Sequence, residues 1–293
     1  METIYLQLYS LGQYGETHPM KENLKEVAEM GYDGVEFAGN NYGGLSAEEL
    51  KEELAKNHLG CRSVHLGLDQ IIPTLPYLKE IGVEYAIDAM SAFSNEEEIL
   101  DVARQLNEAG KEAAKYGIKV GYHNHTQEFN KIGDKYFLEI LMENTDPENV
   151  VFELDCGWAT AAGADAAEFL KKYADRYVAI HVKENSKVIG PEKPRSPKDP
   201  SPFKLDENGR PIITEEMRKM FEERASWNCG TGQGIIDWKK IFSVCHEVGI
   251  DLFVVEREAD YGGMDRMTCL KKDVDWLKTN LYFLKRKKAL PVF

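Results

Sequence analysis

Cysteine is scarce and unpatterned in this chain. Five residues, Cys61, Cys156, Cys229, Cys245 and Cys269, make an odd number with no C-x-x-C spacing. That argues against a disulfide framework or a thiolate zinc site and fits a reducing, cytoplasmic setting. No run of 18 apolar residues occurs, so no membrane span or membrane partner is expected. The opening METIYLQLYS lacks a charged segment leading into an apolar core, and no export signal is read there. Positive charge is in deficit, with 36 Lys and Arg against 50 Asp and Glu and a formal net charge of −14. Nucleic acid needs a basic face, so it is not expected as a partner. The run KRKK (285–288) reads as a solvated helix end.

What is present is apolar material in short, regular runs. Hydrophobic residues make up 43% of 293 residues, enough for one large core in a single domain over 1–293. Strands are expected at 4–10, 34–39, 61–66, 85–90, 119–125, 150–155, 177–184 and 252–258. Amphipathic stretches lie between them, among them MKENLKEVAEMG and WKKIFSVCHEVG. Several end in Gly just before the next strand, as helix C-caps do. Eight strand–helix pairs predict an α/β fold, a (β/α)8 TIM barrel. A doubly wound open sheet is the alternative, weakened because no Gly-rich phosphate loop follows the first strand.

One segment breaks the rhythm. Residues 186–227 carry six prolines and many charges, with a short helix in TEEMRKMFEERA. A long excursion after strand seven reads as a lid or a subunit contact, and so allows a homo-oligomer.

Strands of a parallel barrel are buried on both faces and should be nearly all apolar. Here their C-terminal ends hold Glu36, His65, Asp88, His123, His125, Asp155, His181, Lys183, Glu256 and Glu258. Each alone has an ordinary structural role open to it. Together, at the end where such barrels place active sites, they suggest a divalent-cation site with acid–base groups beside it. His123 and His125 are two apart and so share a strand face. Asp155, His181 and Glu256 end strands six, seven and eight. Trp158 follows closely on Asp155. GTGQG (230–234) could offer backbone amides to a phosphate or substrate oxygen, or simply close the excursion.

GYDGVEF, GYHNHTQEF, DCGW, HVKEN, GTGQGIIDW and VVERE occur in an order covering nearly the whole chain. In these motifs the sequence resembles the sugar phosphate isomerase/epimerase family of xylose isomerase-like TIM barrels. The resemblance implies one divalent metal held by His123, Asp155, His181 and Glu256. Relatives often carry Glu where His123 stands, so a symmetrical two-glutamate mechanism does not transfer. Glu128 is a substitute ligand or base. Counted on the ligands alone, the swap leaves the centre formally neutral; the resemblance implies manganese first, and nitrogen donors favour manganese, zinc, cobalt or iron over magnesium.

The expected activity is isomerisation or epimerisation of a sugar or keto-sugar through an enediolate. A lyase or dehydratase acting on a keto-sugar or related polyol is the alternative, and the His-for-Glu change tilts towards elimination. Expected catalytic groups are Glu256, His125, Lys183 and Glu128, with Glu36, His65, Trp158 and Glu258 binding substrate. The rival enzyme is a metal-dependent endonuclease for abasic DNA, which the acidic charge opposes. The non-enzyme reading is a sugar-binding barrel or partner subunit.

Overall fold

The computed structural model describes residues 2–199, 204–205, 211–212 and 214–288. Eight parallel strands close into a barrel. They are β1 (Thr3–Gln7), β2 (Gly34–Ala38), β3 (Ser63–Leu66), β4 (Tyr85–Asp88), β5 (Lys119–His123), β6 (Val150–Asp155), β7 (Tyr177–Val182) and β8 (Leu252–Val255). Each pairs with its sequence neighbours and β8 closes on β1. Most strands stop earlier than the apolar runs suggest. His125, Lys183, Glu256 and Glu258 lie just past the strand ends, while Glu36, His65, Asp88, His123, Asp155 and His181 stay in the ladder.

The outer helices include α1 (Met20–Met30), α2 (Ala47–Lys56), α3 (Leu68–Ile81), α4 (Glu96–Ala114), α5 (Phe137–Glu143), α6 (Cys156–Ala161) and α7 (Ala166–Lys172). They continue with α8 (Glu215–Ala225), α9 (Trp238–Val248) and α10 (Arg266–Lys288). Gly31 and Gly249 end α1 and α9 in the left-handed conformation, at φ 96° and 87°. Ser46 and Glu49 form a reciprocal capping box on α2. The run 285–288 ends α10.

The barrel interior is layered. Tyr5, Ala179, Leu252 and Val254 form an apolar plug at the N-terminal end. Gly34 and Gly60 make room for it, because a Cβ at either would lie 2.5 Å or less from the Tyr5 ring or hydroxyl. Above the plug the interior turns polar. Register sets the neighbours there: Gln7 pairs with Glu36, His123 with Glu153, and Asp155 with His181.

Part of the excursion packs over the rim. The Glu192 carbonyl accepts from Asn130 Nδ2 at 2.7 Å, and Arg224 NH2 donates to Glu192 at 2.6 Å. The expected short helix is present as α8, with Thr214 as its N-cap. Residues 200–203, 206–210 and 213, which belong to the expected lid or interface, lie outside the described residues. No helix among the described residues is long and apolar enough to cross a membrane.

Candidate functional site

The donor atoms of His123, Asp155, His181 and Glu256 all lie within 4.8 Å of one another. Strands β5, β6 and β7 deliver the first three from rigid backbone. Glu256 follows β8 directly, its amide donating to the Val182 carbonyl at 3.3 Å. Asp155 also caps α6: its Oδ1 accepts from the Trp158 amide at 2.7 Å. Gly157 permits this tight turn, since a Cβ there would meet the Lys183 carbonyl oxygen at 2.5 Å. The other oxygen, Asp155 Oδ2, is buried and makes no hydrogen bond among the described residues.

Glu256 divides its two oxygens. Oε2 faces His181 Nδ1 at 2.8 Å, and Oε1 faces Lys183 Nζ at 3.5 Å. Lys183 also donates to Glu258 at 2.9 Å, and its ammonium sits over the Trp158 ring. Burial opposes its charge, but Glu256, Glu258 and Asp155 hold it well above the ordinary lysine value. Burial likewise opposes ionisation of Glu256, yet Lys183 and His181 hold it well below the carboxylate range. Asp155 goes the other way. Burial pushes it up to about 7, against Lys183 and with Glu256.

A second polar layer lies beneath. Glu153 Oε1 meets His65 Nε2 at 2.7 Å, His123 Nδ1 at 3.0 Å and His181 Nε2 at 2.9 Å. Glu36 Oε1 meets His181 Nε2 at 2.9 Å and accepts from Gln7 at 2.7 Å, while Ser63 donates to Oε2. Burial and His181 drive His123 well below the ordinary imidazole value. Burial opposes a charge on His181 too, but Glu153 and Glu36 hold it well above.

These residues fit a divalent cation. Asp155, Glu256 and Glu258 surround one lysine, Glu36 and Glu153 lie among the histidines beneath, and such an excess of buried negative charge calls for a bound cation or for protons. Nitrogen and oxygen donors together suit a first-row divalent ion. The unpartnered Asp155 oxygen is the orphan a cation would satisfy. The formal charge counted on the four donors is, however, incomplete. Glu153 and Glu36 stand one hydrogen bond behind the histidines and make the environment more negative than the ligand count implies.

The other expected residues separate. A cavity of about 550 Å³ opens above the donors, lined among others by His65, His123, His125, Glu256, Glu258 and Tyr9. Trp158 stands behind Lys183, with its ring 6.1 Å from that of His125. Two expectations fail on position. Glu36 is fully buried beneath the histidines, spent on Gln7, Ser63, His65 and His181, and cannot reach substrate. Glu128 is not brought to the donors: it accepts from Tyr122 Oη at 2.8 Å and the His125 amide at 2.7 Å, bracing the loop after β5. The GTGQG amides are also engaged. Thr231 N donates to Asp273 at 3.1 Å and Gly232 N to Glu184 at 2.8 Å, so the loop is internal structure rather than a phosphate cradle. Glu153 was missed. Its signal was a charged residue two positions before Asp155, on the same face of a strand buried on both sides.

Comparison with known proteins agrees with the barrel fold. The model of the xylose isomerase-like TIM barrel family matches residues 24–280. The chain belongs to that family, whose members include sugar-metabolising enzymes with divalent-metal sites. An inosose dehydratase of Clostridium botulinum (strain Alaska E43 / Type E3) is 31% identical, over 84% of each chain. One from Lactiplantibacillus plantarum is 27% identical over 58% of this chain and 64% of its own, so this chain spans a little under two thirds of that protein's length. A crystal structure of a sugar phosphate isomerase/epimerase from Parabacteroides distasonis superposes with a TM-score of 0.74 at 22% identity, covering 95% of this chain and 98% of that one.

Proposed function

We propose that the protein is a divalent-metal-dependent lyase that removes water from a keto-cyclitol or keto-sugar, with His123, Asp155, His181 and Glu256 as the cation donors. The observation that carries this reading is the placement of an acid and a base side by side: Lys183 Nζ lies 3.5 Å from Glu256 Oε1. The similarity to inosose dehydratases supports it. When bound, the cation would polarise the substrate carbonyl and acidify the adjacent C–H.

The chain's own groups account for the protons. Glu256, held as a carboxylate, takes the proton from the carbon next to the carbonyl. The electron pair of that C–H bond forms the new C=C bond, and the C–O bond one carbon further breaks. Lys183 gives its proton to the departing hydroxyl, which leaves as water. The proton on Glu256 can then pass back across the short gap to Lys183, restoring both groups. Base and acid on one side imply loss of hydrogen and hydroxyl from the same face. His65 and His125 line the cavity and would orient substrate hydroxyls, and Trp158 and Glu258 steady the lysine. The described parts of the excursion, 186–199 and 214–227, would cover the mouth as a lid or subunit contact. Arg224, whose guanidinium lies 5.6 Å from the Trp158 ring centroid, supports that assignment.

The test is to incubate manganese-loaded protein with inosose and a panel of keto-sugars in D2O. The proposal expects water loss, seen as a conjugated product in the near ultraviolet. Deuterium incorporation with inversion or carbonyl migration, and no water loss, would favour the isomerase/epimerase expectation instead.

A further inference from the structure

Glu153 is not one of the four cation donors, yet it touches both of their histidines. We propose that Glu153 is a positioning residue, which sets the nitrogen that His123 and His181 each turn to the cation and lends the centre negative charge from one bond away. The inference rests on the reading of His123, Asp155, His181 and Glu256 as cation donors.

A carboxylate only accepts hydrogen bonds. A ring nitrogen facing Glu153 Oε1 at 3.0 Å in His123, or 2.9 Å in His181, therefore carries the hydrogen. In a neutral imidazole the other nitrogen is then a free lone pair. His123 is left presenting Nε2 and His181 Nδ1. His181 Nδ1 lies 2.8 Å from Glu256 Oε2, on the donor side, so without a cation it too faces a carboxylate, and a cation bound there would take the place of its proton. The two histidines thus use opposite ring nitrogens: Glu153 sets that of His123, and Glu153 and Glu36 together set that of His181. Glu153 is the direct strand partner of His123, so rigid backbone fixes the pair. Glu36 backs up His181 and His65 but has no bond to His123 among the described residues. His123 therefore depends on Glu153 alone. Carboxylates behind ligating histidines fix the tautomer and raise donor basicity.

A competing use of the same atoms is a second cation, since His65, His123, Glu153 and His181 also have donor atoms within 4.8 Å of one another. The separations of 2.7 to 3.0 Å favour direct hydrogen bonds.

The experiment is titration of the metal-free full-length protein with Mn(II), read by calorimetry, for wild type and Glu153→Gln. Glutamine keeps the volume and an acceptor oxygen but removes the charge. The expected result is one Mn per wild-type chain, an affinity weaker by about 10–100-fold in E153Q, and a metal-free variant that still unfolds cooperatively. The visible bands of the Co(II)-loaded variant should shift, which a merely structural role would not cause. Glu36→Gln should lose less. If E153Q does not fold, Glu153→Asp, which keeps the charge but withdraws the oxygens, should still weaken Mn binding. Equal affinity in E153Q and wild type would overturn the proposal, as would a second Mn equivalent lost in the variant. Absence of lyase activity would leave it standing, whereas failure of wild type to bind Mn would remove the donor set and this inference together.

Discussion

The Lys183 ammonium lies 4.2 Å from the centroid of the Trp158 ring. Trp158 is held in the first turn of α6 by the Asp155 cap, so the same carboxylate that faces the donor cluster also places the shelf beneath the lysine. This contact restrains a side chain that would otherwise sample many rotamers. Lys183→Met should lower the rate of water loss by about 10²–10⁴-fold. Deuterium exchange at the carbon next to the carbonyl should survive, because Glu256 remains. Equal loss of exchange and elimination would show that Lys183 does not act on the leaving group. Nuclear magnetic resonance of the reaction in D2O reads both.

Asp155 pays for its position without a cation. It is fully buried, one oxygen is unpartnered, and burial pushes it up to about 7. Asp155→Asn should keep the cap on Trp158 and abolish tight Mn binding, since the variant lacks the charge. Addition of Mn(II) should raise the melting temperature of wild type, because a ligand bound only by the folded state stabilises it, and should leave the variant unmoved. Equal upward shifts in both proteins would exclude Asp155 as a donor.

Arg257 and Asp273 form a buried ion pair at 2.7 Å, joining the segment after β8 to α10. Asp273 also accepts from the Thr231 amide and hydroxyl, at 3.1 and 3.0 Å. Removing one partner strands a buried charge, at a typical cost of about 3–5 kcal/mol. Asp273→Ala should lose about that much in urea unfolding and loosen the 230–234 loop. A loss below about 1 kcal/mol would contradict the structural role assigned to that loop.

Asp88 ends β4 and accepts from the Met90 and Ser91 amides through Oδ1, while Oδ2 is buried without a partner among the described residues. Burial pushes its pKa up to about 6 against those amides. The folded value lies above the unfolded one, so the unfolded state ionises first. Stability should fall as pH rises from about 4 to about 6, by about 3 kcal/mol for a two-unit shift. Asp88→Asn keeps the accepting oxygen and removes the titration. Its stability relative to wild type should therefore rise across that window and level off above it. A constant difference between the two proteins from pH 4 to pH 7 would refute this.

Much of the barrel was legible because its strands are short apolar runs and its helices carry local stop signals such as Gly31 and Gly249. The polar cluster was legible because charges at the ends of doubly buried strands stand out against an apolar background, whereas the choice of His123, Asp155, His181 and Glu256 among them came from the family resemblance. Glu153 lies one layer deeper, and nothing in its local sequence separates a donor from the residue behind it. Only register shows that it pairs with His123. Glu128 and the amides of residues 230–234 misled for a related reason. Their partners, Tyr122 Oη, Glu184 and Asp273, are set by the three-dimensional fold, and an acidic or Gly-rich run looks the same whether it faces a ligand or its own chain. Two prolines inside one apolar stretch, Pro73 and Pro76, obscure the start of α3. The helix begins at Leu68 and runs through both Pro73 and Pro76, because its apolar face, Ile71, Leu75 and Leu78, is buried on the barrel.

The account stands most directly on where a cation binds. Crystals of the protein grown with Mn(II) and measured at the manganese absorption edge should give one strong anomalous peak per chain, within bonding distance of His123, Asp155, His181 and Glu256. No peak there, or a peak held by other residues, would contradict it.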